Sequence, residues 1–134
     1  MSTVLGQLAL LLVISFLLGS IPWGVIISRV LYHTDLREHG SGNIGTTNAI
    51  RTMGKVGGYA VFVLDFGKGI VAGLIAAVFG TQVLPGNVLA VVEFVQTFGG
   101  SPNPFLYIEQ VCLAVAFLGC TMGHIFCPWL GFRG

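Results

Sequence analysis

The stretch at residues 37–54, REHGSGNIGTTNAIRTMG, carries most of the side chains in this chain that could do chemistry. Gly40, Gly42 and Gly45 form the pattern G-x-G-x-x-G, in which glycines let backbone N–H groups converge on an anion. A dinucleotide fold would need a strand before the glycines and an acidic residue about 20 positions later. An apolar run precedes them instead, and Asp65, at the expected distance, lies inside a second apolar run. A Walker A loop is excluded because no Gly-Lys-Ser/Thr follows.

What remains for this stretch is an anion site at the start of a helix. Thr46 or Thr47 can be the N-cap of a short helix that runs through Met53 and stops at Gly54. Thr47 and Arg51 would share one face of that helix, so that a hydroxyl and a guanidinium point together beside the glycines. Further donors close in sequence are Arg37, Ser41, Asn43 and Asn48. We expect a pocket for a phosphate ester at the membrane surface; the alternative is a plain polar turn.

Two opposite charges in the second apolar run form another candidate group. Asp65 and Lys68 are close enough in sequence to lie on one helical face. Each charge costs roughly 2.5 to 3.5 kcal/mol at the centre of a membrane helix, so exposure to lipid is unfavourable. They either form a structural pair or contribute to an anion pocket, with Lys68 supplying the charge. His124, at the end of a third apolar run, is by itself most simply an interfacial or packing residue.

The composition indicates a membrane protein. The chain has 134 residues, of which 54% are apolar and 8% charged, far from the average of soluble proteins. With a formal net charge of +1 and no clustered basic surface, nucleic acid is excluded as a partner. The three cysteines match no zinc or redox spacing, so we expect no metal and no cofactor and interpret them as small core residues.

Three apolar runs, about 4–31, 56–83 and 104–122, are long enough to cross a bilayer, which takes roughly 20 residues. The chain is therefore predicted to be an all-α integral membrane protein, one polytopic domain over residues 1–134. Val88–Phe98 is apolar but too short to cross, and we predict an interfacial or re-entrant helix there.

Two motifs inside the runs predict local helix behaviour. GSIPWG at residues 19–24 predicts a kink or a thinned helix face, because proline leaves a carbonyl without its helical partner. Gly69 and Gly73 have the G-x-x-x-G spacing that lets two membrane helices approach closely.

Lysine and arginine, which accumulate on the cytoplasmic side of membrane proteins, predict the orientation. Four of them flank or occupy the loop at residues 32–55, namely Arg29, Arg37, Arg51 and Lys55. Residues 82–110 contain none. We therefore predict a cytoplasmic first loop and C-terminus and an external N-terminus.

Taken in chain order, the motifs resemble those of the bacterial acyl-phosphate:glycerol-3-phosphate acyltransferases, the integral-membrane PlsY family. The resemblance covers nearly the whole chain, and the first-loop motif is specific. The motifs that carry it are GSIPWG, RxxGSGNxGxxN from Arg37 to Asn48 with Arg51 and Gly54 after it, Asp65-Phe-Gly-Lys68-Gly69, and GHIFxxxxGFRG.

The resemblance implies transfer of an acyl group from acyl phosphate to the 1-hydroxyl of glycerol 3-phosphate, giving lysophosphatidic acid for phospholipid synthesis. It implies a bacterial inner or plasma membrane, with active-site loops facing the cytoplasm, and says nothing of oligomeric state. The catalytic residues it implies are Ser41, Arg37 and His124, the last opening a motif associated with glycerol 3-phosphate. The expected substrate-binding residues, including Lys68 from the charge argument, are Gly40, Gly42, Asn43, Gly45, Thr47, Asn48, Arg51 and Lys68.

The mechanism that the resemblance implies leaves the general base open. Acyl phosphate is already activated, so positioning and stabilisation of the carbonyl oxyanion can supply much of the rate without a covalent intermediate. A substrate phosphate or a histidine could take the proton of the attacking hydroxyl. Ser41 could orient a substrate or act as a nucleophile. The H-x-x-x-x-D motif of the other glycerophosphate acyltransferase class is absent.

The family pattern also extends further than this sequence. Its second motif usually continues past Gly134 as GGKGVAT, and further spans and a third motif with a histidine and an asparagine are missing. We therefore expect an N-terminal part of such an enzyme, with little or no activity alone. The alternatives are a small membrane anion-binding or transport subunit that uses Asp65 and Lys68, and a structural membrane protein without a site.

Overall fold

The structure, a computed structural model, describes residues 2–98 and 103–132. Within these ranges it is helical and has no strand, which confirms the predicted all-α class. Three stretches are long and apolar enough to cross a membrane, namely Ser2–Tyr32, Thr46–Gln82 and Pro104–Leu130. The direction in which they cross stays a prediction.

Five α-helices make up the bundle. They are α1 (Ser2–Gly19), α2 (Trp23–Tyr32), α3 (Thr46–Val78), α4 (Val88–Phe98) and α5 (Pro104–Ile125). Short helical turns cover Leu36–Glu38, Phe79–Val83, Leu84–Asn87 and Pro128–Leu130. The segment predicted as an interfacial or re-entrant helix is thus helical as α4, and its depth in a bilayer stays a prediction.

The first apolar run is broken at residues 20–22. α1 ends at Gly19 and α2 begins at Trp23, because Pro22 has no N–H with which to continue the helical ladder. The Ser20 hydroxyl donates back to the Leu17 carbonyl at 2.7 Å. The predicted kink is therefore a full interruption, and it leaves backbone carbonyls available to other elements.

α3 is interrupted at Gly54, whose φ of 76° and ψ of −178° are not helical. The predicted stop of the short first helix at this glycine is therefore observed. The predicted N-cap was wrong, because Thr46 is already helical and Gly45 is the N-cap, with no side chain capping the helix. The Asn43 carboxamide oxygen accepts the Gly45 N–H at 2.7 Å, which closes the turn just before the helix.

The closest helix contact joins α1 to α5 through Gly119 and Gly123. A Cβ at Gly119 would lie 2.7 Å from the Leu12 carbonyl oxygen, and one at Gly123 would overlap the Phe16 carbonyl. The close contact predicted for Gly69 and Gly73 is not made within the described residues: nothing lies within 4 Å of a Cβ built at either. The same four-residue spacing therefore allows a close helix contact in α5, where the backbone of α1 faces Gly119 and Gly123.

Candidate functional site

Two buried apolar residues hold the polar loop against α2. Leu36 and Ile44 are both buried, and the Leu36 N–H donates to the Ser28 hydroxyl at 3.2 Å. Gly24 lies so close to the loop that a Cβ there would overlap the Ile44 carbonyl oxygen. These anchors were not among the predicted residues, because the residues of the loop that could do chemistry are polar. The sequence feature that indicates them is the presence of two branched apolar residues, Leu36 and Ile44, within an otherwise polar segment.

The shape of the loop depends on Asn48, whose side chain is 1% exposed. Its amide nitrogen donates to the carbonyl oxygens of Leu36 (3.1 Å), His39 (3.0 Å) and Asn43 (2.8 Å). Its oxygen accepts the Ser41 N–H at 3.0 Å. A primary amide has two N–H donors, and both are used here. In this structure Asn48 organises the loop and has no donor left for a substrate.

A pocket of about 170 Å³ lies at the start of α3. Since a water molecule takes about 30 Å³, a phosphate group fits this volume. The first N–H groups of a helix have no intrahelical partner and carry partial positive charge, and no side chain caps this end. The Ser41 hydroxyl makes no hydrogen bond to any described residue. The pocket is lined by Ser41, Asn43, Gly45, Thr46, Thr47 and Asn48.

Arg51 lines a different cleft from Thr47, although the two were predicted to point together. The cleft of Arg51 measures about 520 Å³ and is lined by Tyr32, Thr34, His39, Gly40, Arg51 and Thr52. Gly40 lines this cleft and Ser41 the other, so the backbone between them lies at the boundary. Asn48 holds this backbone against α3, because its side-chain oxygen accepts the Ser41 N–H. Gly40, at φ 59°, could not carry a side chain without overlapping the Asn48 oxygen.

Arg37 is bound by the carboxylate of Asp35, a residue that was not among the predicted site residues. Its Nε and Nη2 donate to Asp35 at 3.0 and 2.7 Å, and Arg29 donates to the same carboxylate. The hydrogen bonds from Arg37, joined by those from Arg29, hold the pKa of Asp35 well below its usual range. The carboxylate in turn raises the pKa of Arg37. An anion that binds Arg37 therefore shares it with Asp35.

A further cleft joins the loop to the end of the described chain. It measures about 620 Å³ and is lined by Asp35, Arg37, Glu38, Gly42, Ile44, Leu130 and Gly131. The first-loop motif and the GFRG motif are thus brought together across the sequence. Arg37 and Gly42 are the two predicted site residues that line this cleft.

Asp65, Lys68 and His124 form one polar cluster, in which Lys68 is buried and the other two are half-buried. Lys68 is 6% exposed, and its Nζ lies 2.8 Å from Asp65 Oδ1, 3.0 Å from His124 Nδ1 and 3.1 Å from the Ile21 carbonyl oxygen. The structural pair expected of Asp65 and Lys68 is present, and it is joined by His124. Since Ile21 lies between α1 and α2, the cluster lies beside the break that separates these helices.

The three residues expected to be catalytic do not share a cleft within the described chain. Ser41 lines the pocket at the start of α3, Arg37 lines the large cleft, and His124 lies in the cluster with Lys68. Of the expected substrate-binding residues, the α3 pocket gathers Asn43, Gly45, Thr47 and Asn48.

An apolar groove of about 410 Å³ runs between α3 and α5. Its floor includes the open Gly69 and Gly73, and its other lining residues are Ala72, Leu113, Ala116, Phe117, Cys120 and Thr121. Gly69 follows Lys68 in the chain, and Cys120 is one turn before His124. One end of the groove therefore adjoins the polar cluster.

These features define a helical membrane protein with a small pocket beside its first loop, at the start of α3. A family model described as glycerol-3-phosphate acyltransferase matches residues 9–134, and the chain belongs to this family. It is 40% identical to a glycerol-3-phosphate acyltransferase of Thermosynechococcus vestitus, over 99% of this chain and 54% of that protein. It is 49% identical to one of Streptococcus pneumoniae (strain Hungary19A-6), over 81% of this chain and 59% of that protein.

The chain thus spans just over half the length of these curated relatives. No solved structure matches it.

Proposed function

We propose that the chain belongs to an enzyme that transfers an acyl group from acyl phosphate to the 1-hydroxyl of glycerol 3-phosphate. The products are lysophosphatidic acid and inorganic phosphate. The observation that carries the proposal is the uncapped start of α3, which faces a phosphate-sized pocket with the Ser41 and Thr47 side chains at its wall. The names of the relatives support the acceptor, and the alternative of a transport subunit has no such support.

The proposed reaction forms a bond between the acceptor oxygen and the acyl carbon and breaks the bond from that carbon to the phosphate oxygen. The leaving phosphate carries the electron pair away, and the hydroxyl proton passes to a phosphate oxygen or to another base. Backbone N–H groups at the start of α3 stabilise the charge that develops on the leaving phosphate, and positioning supplies much of the rate. Arg37, which lines the separate cleft, binds the phosphate of the other substrate. The unbonded hydroxyl of Ser41 is free to orient a substrate in this scheme.

The apolar groove between α3 and α5 binds the hydrocarbon part of the acyl donor in this proposal. The groove lies among membrane helices, so an acyl chain could enter it from lipid. Its glycine floor at Gly69 and Gly73 leaves room that a side chain would fill. We place the loop and its clefts on the cytoplasmic side of a bacterial inner membrane, by the distribution of Lys and Arg.

Acyl transfer in lipid vesicles tests the proposal. Labelled glycerol 3-phosphate is offered with acyl phosphate or acyl-CoA in separate reactions. The chain is assayed alone and joined to the part of the Thermosynechococcus relative that lies beyond the matched region. We expect transfer from acyl phosphate by the joined form, and a loss of about 10²-fold or more for Ser41→Ala or Arg37→Ala.

Two exposed residues that line none of these clefts provide matched controls. Ser2→Ala and Lys55→Ala should leave the rate unchanged. Transfer from acyl-CoA alone, or full activity of Ser41→Ala, would contradict the proposal. Anion flux lost in Asp65→Asn, with no acyl transfer in either form, would favour a transport subunit.

A further inference from the structure

The three acceptors around Lys68 determine where the proton of His124 is. An ammonium group has three N–H donors and no lone pair, so each of its partners must accept. The Ile21 carbonyl accepts one of them at 3.1 Å, and the Asp65 carboxylate forms an ion pair with the ammonium at 2.8 Å. Another donor points to His124 Nδ1 at 3.0 Å. Since Nδ1 accepts, the proton of the neutral ring is on Nε2.

The neighbouring groups stabilise the charged form of Lys68. A buried ammonium needs a close counter-charge and further acceptors to offset desolvation. Asp65 supplies the counter-charge from one turn earlier in α3, and Ile21 supplies a carbonyl released by the break before Pro22. The ring of His124 is therefore held by a charged group that is itself fixed to two elements.

We propose that Lys68 is a positioning residue that holds His124 as the Nε2–H tautomer. His124 then offers a hydrogen-bond donor to a phosphoryl oxygen of a substrate, and it is not the general base. This inference rests on the proposed function. Nε2 makes no hydrogen bond to the described part of the chain, and the ring is half-buried beside one end of the apolar groove.

The role of donor also fits the electrostatics of the cluster. A base at this position would have to take up a proton beside the Lys68 ammonium, and like charges at such a distance repel. A donor gains no charge when it binds an anion. The phosphoryl group could belong to glycerol 3-phosphate or to the acyl donor, since both carry the same chemistry.

Nitrogen-15 NMR of the histidine-labelled chain in lipid nanodiscs at neutral pH tests the tautomer without requiring turnover. The signals of His124 are assigned by their loss in His124→Gln. We expect a pyridine-like Nδ1 and a pyrrole-like Nε2, and in Lys68→Met a shift toward a mixture of tautomers. A protonated Nδ1 in the unmodified chain would overturn the proposal even if Lys68→Met fails to fold.

Two probes distinguish the sources of the phosphoryl oxygen. Glycerol 3-phosphate and an alkyl phosphonate are added separately, with choline chloride at equal ionic strength as the control. A shift of the Nε2 signal with one probe identifies that substrate, and no shift with either contradicts the donor role. His33, an exposed histidine, provides an internal reference whose signal should not respond.

Substitutions of His124 separate a donor from a base in the acyl-transfer assay. Glutamine places an amide N–H near the position of Nε2, and asparagine places its amide near Nδ1. If His124 donates, His124→Gln should stay within about tenfold of the unmodified enzyme, while His124→Asn and His124→Ala lose far more. An equal loss of about 10²-fold or more in all three would indicate a base. His33→Asn is the matched control.

Because the spectrum needs no catalysis, the two hypotheses fail separately. A chain without acyl transfer but with the expected tautomer would contradict the proposed function alone. Acyl transfer with a protonated Nδ1 would contradict only the role of Lys68.

Discussion

Asn48 and Lys68 are two buried polar side chains of α3 that each bind backbone outside that helix. Asn48 binds four backbone groups of the loop and no side chain. Lys68 binds one carbonyl and two ionisable side chains. The neutral amide fixes shape alone, whereas the ammonium fixes shape and the position of a proton together. The contacts of Asn48 in the loop therefore involve no charged group, whereas the cluster depends on the charge of Lys68.

The largest effect is expected from Lys68→Met, which tests whether the cluster depends on charge. This substitution keeps the approximate length of the side chain and removes its charge. The half-buried Asp65 carboxylate then loses its partner, and we expect a loss of about 3 kcal/mol in the free energy of unfolding, the lower end of the range for fully buried pairs. Unfolding in mixed detergent micelles measures it. The double variant Lys68→Met/Asp65→Asn should recover part of the loss. A single variant as stable as the original would show that the charge is dispensable.

Asn48→Ala tests the neutral member of the comparison. It orphans backbone groups of the loop, and each one that stays out of water costs about 1–3 kcal/mol. We expect a lower unfolding midpoint and faster amide exchange at Ser41, whose N–H loses its acceptor. Thr52→Ala, a truncation in the same helix whose side chain makes no hydrogen bond to the described residues, is the control. Unchanged exchange at Ser41 would contradict the role assigned to Asn48.

Acid should weaken the arginine–carboxylate group of the loop. The folded pKa of Asp35 is depressed chiefly by its hydrogen bonds to Arg37, so the unfolded chain takes up the proton at higher pH. Its contribution is complete above the ordinary value near 3.9 and declines as pH falls below that value toward the folded pKa. The unfolding midpoint followed through this window measures it. Asp35→Asn should flatten the profile there.

The smallest effect is expected from Arg29→Gln. Arg29 is paired with Asp35 at 2.6 Å, but its side chain is 56% exposed. Exposed ion pairs contribute about 0–1 kcal/mol and are screened by salt. The difference in unfolding midpoint from the original chain should therefore shrink as salt is added. A larger loss that persists in high salt would mean that this pair resembles the buried cluster.

Sequence patterns of short range predicted most of the fold. The three spans follow from the length of their apolar runs, and the break in the first follows from Pro22, since both depend on neighbouring residues. The pairing of Asp65 with Lys68 follows from helical periodicity in the same way. The interruption at Gly54 belongs to this group too, because a glycine after a short helix is a local stop signal.

The contacts between distant elements could not be predicted in this way. His124 reaches Lys68 across 56 positions, and no local pattern links them. The spacing of Gly69 and Gly73 equals that of Gly119 and Gly123, and only the packing decides which pair faces a backbone. Asn48 looked like a ligand because it is polar and lies in a motif. Its burial, which gives it a structural role, depends on how the loop folds back.

Residues that are far apart in the sequence meet at the break between α1 and α2. Cys127 Sγ lies 3.0 Å from the Ser20 carbonyl oxygen, and Trp129 Nε1 donates to the Ser20 hydroxyl at 2.8 Å. During synthesis the first hydrophobic segment enters the membrane long before residue 127 leaves the ribosome. Until then the carbonyls at the break must be satisfied by water or lipid headgroups. Biogenesis thus has an order, in which the first segment inserts early and reaches its final conformation only after the third has arrived.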